Sequence, residues 1–238
     1  MPGLGTIINT AAIVVGGLLG LLFKNLLTKS MEDTLLKASS VCVLFIGIGG
    51  AMQHMLKITD GALETSGSMM LIICFVLGSI VGELLDIEGA FERFGAWLRK
   101  KTHNESDTGF LSAFIHASLT VCIGAMAIVG SIQDGLLGDS SLLCAKAALD
   151  AVIILVMTAS MGKGCIFSAI PVALLQGGVT LLSRVLAPVF TEAAIANLSY
   201  TGSVMIFCVG LNLVWGKKIK VANLLPTLVF AVIYALVF

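Results

Sequence analysis

The chain predicts an all-α fold, a polytopic bundle of membrane-spanning helices, and three observations carry that reading. Hydrophobic residues make up 58% of the 238 and charged residues only 12%, where a soluble domain carries about 25% charge; mean hydropathy is +1.05. The apolar stretches run unbroken for roughly 20 residues, enough for a helix to cross the hydrocarbon core, whereas barrel strands alternate over roughly 10. The basic residues, finally, are distributed very unevenly between alternate loops.

Apolar runs fall at 4–23, 37–56, 68–87, 111–130, 143–161, 164–186, 198–216 and 221–238, giving eight expected spans in a single integral membrane domain covering 1–238. The first has no basic stretch before it and is long enough to span, so it reads as a retained helix and not a cleaved leader. The fifth and sixth are joined only by Met161-Gly-Lys-Gly-Cys165, the weakest point of the count. With eight spans, Lys24, Lys29, Lys37, Arg93, Arg99, Lys100, Lys101, Lys163, Lys217, Lys218 and Lys220 lie on one side, leaving only Lys57, Lys146 and Arg184 of the 14 Lys and Arg on the other. By the positive-inside rule the basic side is cytoplasmic and both termini are outside. Merging the fifth and sixth runs would move Lys217, Lys218 and Lys220 across and erase most of the bias.

Between the third and fourth runs, residues 88–101 place Phe91, Phe94, Trp97 and Leu98 on one helical face, with Arg93, Arg99, Lys100 and Lys101 at its edges and end. This reads as a cytoplasmic interfacial helix attracted to anionic lipid; 102–108 is a polar loop. The six cysteines show no CxxC or finger spacing and read as small packing residues. Gly16-x-x-x-Gly20 and Gly78-x-x-x-Gly82 are small-residue faces for close helix packing, within the chain or across a homodimer. Zero net charge argues against a nucleic-acid partner. No nucleotide loop, nucleophile–base pair or zinc spacing is present in the sequence, so neither an enzyme nor a cofactor is expected.

Ser40–Ile48 of the second run matches Ser203–Leu211 of the seventh position for position in character, pairing Ser40 with Ser203 and Gly47 with Gly210. Val14-Val-Gly-Gly17 likewise matches Leu175-Gln-Gly-Gly178 after a shift of two residues in the intervening loop. Helices one to three therefore read as a distant copy of six to eight, in opposite orientation because five spans separate them. Inverted repeats are common in secondary transporters; chance likeness among apolar, glycine-containing helices is the alternative.

Ionisable side chains at bilayer depth are costly and by default mark a pathway or binding site. The densest such stretch is Cys122–Asp150, where the fourth run is expected to break over Gly130–Gly135, with Gln133 and Asp134 in the break, and the fifth carries Lys146 and Asp150. Two readings of each carboxylate stand open. Asp150 is a cation ligand or half of an i,i+4 pair with Lys146; Asp134 is a ligand or an acceptor for helix-end N–H groups. Asn9 and Gln176 join them as neutral oxygen ligands, which favour hard cations or protons. Asp134 and Asp150 are expected to border one outward cavity. Glu83 and Asn212 are secondary candidates with Lys146.

At Cys122–Gly135, Gly5-Thr-Ile-Ile-Asn9, Gly78-Ser-Ile-Val-Gly-Glu83, Phe167-Ser-Ala-Ile-Pro171 with Gln176-Gly177, Gly210-Leu-Asn212 and Val221–Pro226, the chain resembles the YqgA/YdfK-type family of uncharacterised bacterial inner-membrane proteins. The resemblance implies a bacterial plasma-membrane location and, loosely, transport; it assigns no residues. The expected function is an ion-coupled transporter or ion channel handling a small ion or small-molecule substrate, with a monovalent or divalent cation or a proton at Asp134 and Asp150. The alternative is a membrane scaffold or sensor acting through glycine faces and the interfacial helix.

Overall fold

The computed structural model describes residues 2–24, 28–59, 61–104, 107–123 and 125–237. Residues 25–27 and 105–106, in two of the stretches expected to be cytoplasmic loops, lie outside the described residues. The architecture is a helical membrane bundle. In chain order it comprises α1 (Leu4–Lys24), α2 (Lys29–Met55), α3 (Ser68–Leu85), α4 (Ile87–Lys101), α5 (Phe110–Cys122), α6 (Ala125–Leu137), α7 (Ser141–Met161), α8 (Ala169–Leu181), α9 (Ser183–Leu186), α10 (Glu192–Trp215) and α11 (Pro226–Val237). Short 3₁₀ turns at Lys163–Ser168 and Val221–Leu224 lead into α8 and α11. Among the described residues six helical segments are long and apolar enough to cross a membrane, or seven if α5 and α6 form one bent span; Val221–Val237 is a shorter apolar helix.

Two local features depart from the sequence expectation. Leu56–Thr59 and Ala62–Thr65 pair as an antiparallel hairpin, with Gly61 at φ +80°, where a side chain would be strained. The fourth run bends elsewhere than expected. Gly130–Gly135 lies inside α6, which is helical throughout, and the chain breaks between Cys122 and Ala125 with a bend of 61°. Glycine and polar residues were read as a break, but Ser131 bonds the Ala127 carbonyl (2.6 Å) and the glycines serve interhelical contact, so α6 continues.

Glycine sets the spacing of the main helix pairs. α1 lies along α7 in the same direction: Gly5 faces Leu143, Gly16 the Ala151 carbonyl and Gly20 the Leu155 carbonyl. α2 runs antiparallel to α10, with Gly47 against Phe207 and Gly210 against Leu44, and α3 runs antiparallel to α11, with Gly78 against Thr227 and Gly82 against the Asn223 carbonyl. Without a hydrophobic gain between helices in lipid, such close backbone approach provides the dispersion contacts that hold spans together. Both small-residue faces seen in the sequence are thus used inside the chain.

α4 packs more deeply than a surface anchor. Leu98 is buried, Gly95 admits Leu111 and Phe114, and Phe94 lies against Trp97 and Phe114; Trp97 is exposed beneath the Lys101 ammonium. The turn into α4 depends on Asp86, at φ +48°, whose carboxylate accepts from Gly89 N and Arg93. The Arg93 guanidinium holds that carboxyl below the usual range.

These contacts separate tight from slack glycines. Gly82→Ala drives a Cβ into the Asn223 backbone and is expected to cost about 1–3 kcal/mol, whereas Gly49→Ala enters open space and is expected to be neutral or stabilising by up to about 1 kcal/mol. Thermal unfolding in detergent, followed by a thiol-reactive dye reporting on buried Cys74 and Cys165, checks the contrast.

Candidate functional site

Asn9, Gln133, Asp134, Lys146, Asp150 and Gln176 lie on α1, α6, α7 and α8, where α1 and α6 pack on each other and each packs on both α7 and α8. At the break in the fourth run, the last carbonyls of α5 lose their helical donors. Lys146, on α7, supplies one: its ammonium donates to the Val121 carbonyl (2.9 Å) and to both oxygens of Asp150 (2.8 and 2.6 Å). All three of its N–H donors are used, and a cation at the C-terminal end of a helix is electrostatically favourable. Asn9, on α1, donates its amide to Asp150 Oδ2 (3.0 Å). Lys146, Asp150 and Asn9 are all buried. Asp150 lies midway along α7, deeper than the outer position expected for it, and the self-neutralising pair is what the geometry displays.

Asp134 plays the complementary part. From α6 its Oδ2 accepts the amides of Gly3 (3.1 Å) and Gly5 (3.0 Å), so a fully buried carboxylate sits on the N-terminal end of α1, where negative charge is favoured. Of the two readings of Asp134, ion ligand or acceptor of helix-end N–H groups in a local turn, the geometry displays acceptance from a helix end, but one more than 120 residues away that could not be read from local sequence. Neither Asp134 nor Asp150 lines a cavity among those described, which corrects the expectation of a shared outward vestibule. The two carboxylates are instead held by separate partners.

Around these pairs lies a group of unpartnered polar atoms. Thr6 Oγ1, Asn9 Oδ1, Asp134 Oδ1, Thr180 Oγ1 and both amide atoms of Gln176 are six of the ten buried side-chain atoms with no protein hydrogen-bond partner among the described residues; the other four, on Ser118, Thr158, Tyr200 and Thr227, belong to α5, α7, α10 and α11. Buried polar groups are nearly always satisfied, so such a concentration calls for a reason. The Asn9 amide orientation is set, because the atom facing the Asp150 carboxylate must be the donor. Asn9 is three residues from Thr6, and Gln176 four from Thr180, so each pair shares a helix face. Five oxygens on α1, α6 and α8 form an acceptor-rich environment suited to a hard cation, a proton or ordered water. Thr6 and Thr180 were missed by the sequence reading, although their helical spacing from Asn9 and Gln176 was a usable signal.

Thr6 and Thr180 also line a cavity of about 390 Å³ at the end where α1 begins and α8 ends, together with Gly3, Gly135, Gly177, Ser183 and Arg184. A smaller cavity, about 170 Å³, lies at the opposite end of the bundle between α4, α5 and α10, with Glu88, Glu92, His116, Asn212 and Lys217 in its wall. There Lys217 bridges Glu88 (3.1 Å) and Glu92.

Of the remaining candidates, Glu83 and Asn212 have structural partners. Gln133 is half-buried beside Asp134 in sequence, and among the described residues no hydrogen bond joins it to Asp134, Asn9 or Gln176. Glu83 is exposed and clamps Lys220 and Asn223. Asn212 shapes the loop after α10, accepting from Lys218 N and Ile219 N (both 3.0 Å) and donating to the Ile219 carbonyl (2.7 Å).

The chain belongs to the family described as protein of unknown function, DUF554, which it matches over residues 4–236. It is similar to "Uncharacterized membrane protein YdfK" of Bacillus subtilis (strain 168), 26% identical over 224 residues, covering 94% of this chain and 92% of that one. It is also similar to "Uncharacterized protein YqgA" of Escherichia coli (strain K12), 25% identical over 235 residues, covering 96% and 94%. No solved structure matches. The buried pair can be tested directly. Asp150→Asn strands the Lys146 ammonium and is expected to destabilise by about 3–5 kcal/mol, while Lys146→Met/Asp150→Leu, which removes both charges, retains more stability than the single variant. Thermal unfolding of the three proteins decides this; equal loss in the single and double variants would contradict a coupled pair.

Proposed function

We propose that this DUF554 member is an ion-coupled membrane transporter and not an enzyme, its cation or proton site formed by the unpartnered oxygens of Thr6, Asn9, Asp134, Gln176 and Thr180. The observation that carries the reading is that concentration of orphaned acceptors inside the spanning body of the protein. Lys146–Asp150–Asn9 is the barrier of the pathway. The bent α5–α6 segment supports this assignment: α5 borders the cavity at one end, α6 the cavity at the other, and Lys146 grips the break between them. A closed layer between two cavities favours a carrier over an open channel.

The inverted repeat draws support from the α2–α10 contact. In the matched segments Leu44 aligns with Phe207 and Gly47 with Gly210, and the two contacts, Gly47 with Phe207 and Gly210 with Leu44, are each other with partners exchanged. Exchange of partners follows from the antiparallel packing itself; what is particular to this pair is that the aligned glycines Gly47 and Gly210 both sit at the crossing, and a repeat of opposite orientation needs its axis in the membrane plane. The proposed oxygens on α1 and α8 then belong to equivalent helices of the two copies. The equivalence is incomplete: Gly16 and Gly17 are tightly packed, whereas Gly177 and Gly178 face open space.

The scaffold reading is less well supported, since the glycine faces and much of the apolar face of α4 are used within the chain; for the same reason those faces lend no support to a homodimer. The proposed setting is a bacterial plasma membrane with both termini outside. In the bundle Lys24 and Lys217 lie at the same end as α4, consistent with the cytoplasmic side assigned by loop charge. A cysteine at position 218, in a chain lacking its native cysteines, is expected to react with an impermeant thiol reagent only from inside.

Gln176→Leu separates transport from structure. Its amide has no protein partner to lose, so the variant is expected to be as stable as the parent or more so, while cation-dependent flux in proteoliposomes falls at least about tenfold through loss of one ligand. Unchanged flux in the folded variant would remove Gln176 from the pathway, and a large loss of stability would mark it as a structural residue.

A further inference from the structure

We propose that the 390 Å³ cavity at the start of α1 is a binding site for a small organic oxyanion, held by Arg184 and by the hydroxyls of Thr6, Thr180 and Ser183. This deepens the transport reading by naming the class of its co-substrate, yet binding is measurable without flux. The volume lies at the lower end of small-molecule pockets, about 300–1,000 Å³, and exceeds what a bare ion needs.

The hydroxyls are the first argument. A Ser or Thr within a spanning helix ordinarily bonds the carbonyl one turn back, and here Thr10, Thr120, Ser131, Thr201 and Ser203 all do so. Thr6 and Thr180 do not, nor do Ser118 and Thr158, but of these four only Thr6 and Thr180 face this cavity. Both are more than nine-tenths buried, both line the cavity, and neither hydroxyl has a protein partner. Each is a donor available to a ligand oxygen.

Charge is the second argument. No Asp or Glu lines the cavity, and Arg184 is the charged residue in its wall. Its guanidinium forms no ion pair among the described residues, so its forked donors are open to a carboxylate or phosphate. Asp134, next in sequence to the wall residue Gly135, is fully buried, with Oδ2 held by Gly3 and Gly5. Gly3 and Gly177 face open space and add no side chain, leaving backbone accessible to a ligand. Because Thr6 and Thr180 also belong to the proposed cation site, an anion here and a cation below it would lie close enough to attract, which is a physical basis for coupled binding.

The test is calorimetric titration and thermal shift of the purified full chain in detergent, at constant ionic strength, with L-lactate, succinate, methylphosphonate and inorganic phosphate. Lactamide and succinamide serve as uncharged controls. At least one oxyanion is expected to bind and raise the unfolding temperature where the amides do not, and the carboxylate and phosphate arms distinguish the head group. Arg184→Gln, at an exposed position, is expected to weaken binding by about tenfold or more, and Thr180→Val by a few-fold with ligand-free stability unchanged. No binding by any member, or equal binding by Arg184→Gln, overturns the site while leaving the Gln176 flux test intact. Binding that depends on Arg184 without any flux would uphold the site and count against transport.

Discussion

The Lys146 ammonium is the constraint on which the centre of this protein depends. A helix broken inside a membrane leaves carbonyls without donors, and no water is at hand in hydrocarbon to supply them. A buried lysine alone would be costlier still. Each problem answers the other: Lys146 satisfies Val121, Asp150 neutralises Lys146, and Asn9 occupies a further lone pair of Asp150. Three segments, α1, α5 and α7, are thereby tied to one charge-compensated point. Breaking such a group from one side is far more damaging than removing it whole.

A second carboxylate works on the same principle with the sign reversed. Asp134 faces the amino end of α1 as Lys146 faces the carboxyl end of α5, so both buried charges are set against helix termini of opposite polarity. The glycine contacts make this possible by bringing backbones close. Gly5 leaves room for Leu143 beside Asp134, and Gly16 and Gly20 bring α1 onto α7 within reach of Asp150. Packing and electrostatics are therefore not separable here; a side chain at those glycines would displace the hydrogen-bonding partners as well as the helices.

Against this well-satisfied frame, the unpartnered atoms of Thr6, Asn9, Gln176 and Thr180 stand out. A protein that spends a glycine at nearly every close crossing and compensates both buried charges leaves these groups open on adjoining helices, next to a cavity. Ser118, Thr158 and Thr227 are unpartnered too, but they stand away from that cavity; its closeness to Thr6 and Thr180 is what locates the functional reading in α1 and α8 more firmly than in the two aspartates that first drew attention.

Much of this was legible in order along the chain. Continuous apolar runs determine helices because every backbone group in lipid must be satisfied within its own segment, and α1, α3, α7 and the amphipathic α4 fall within a few residues of where hydropathy placed them. The i,i+4 spacing of Lys146 and Asp150 predicted their pairing, since that contact is internal to one helix. What local sequence could not decide was contact between segments. Gly130–Gly135 reads as a breaker in isolation, but its glycines meet Leu143 and Ser183 in the folded chain, and the break moved to Cys122–Ala125, where a lysine from another helix supports it. The partner of Asp134 is a helix end 129 residues away, and the orphaned state of Gln176 is defined only by what surrounds it. Sequence determined which segments enter the membrane, because that depends on transfer of each segment alone; tertiary structure decided which buried polar groups are satisfied, because hydrogen bonding at depth depends on neighbours from distant parts of the chain.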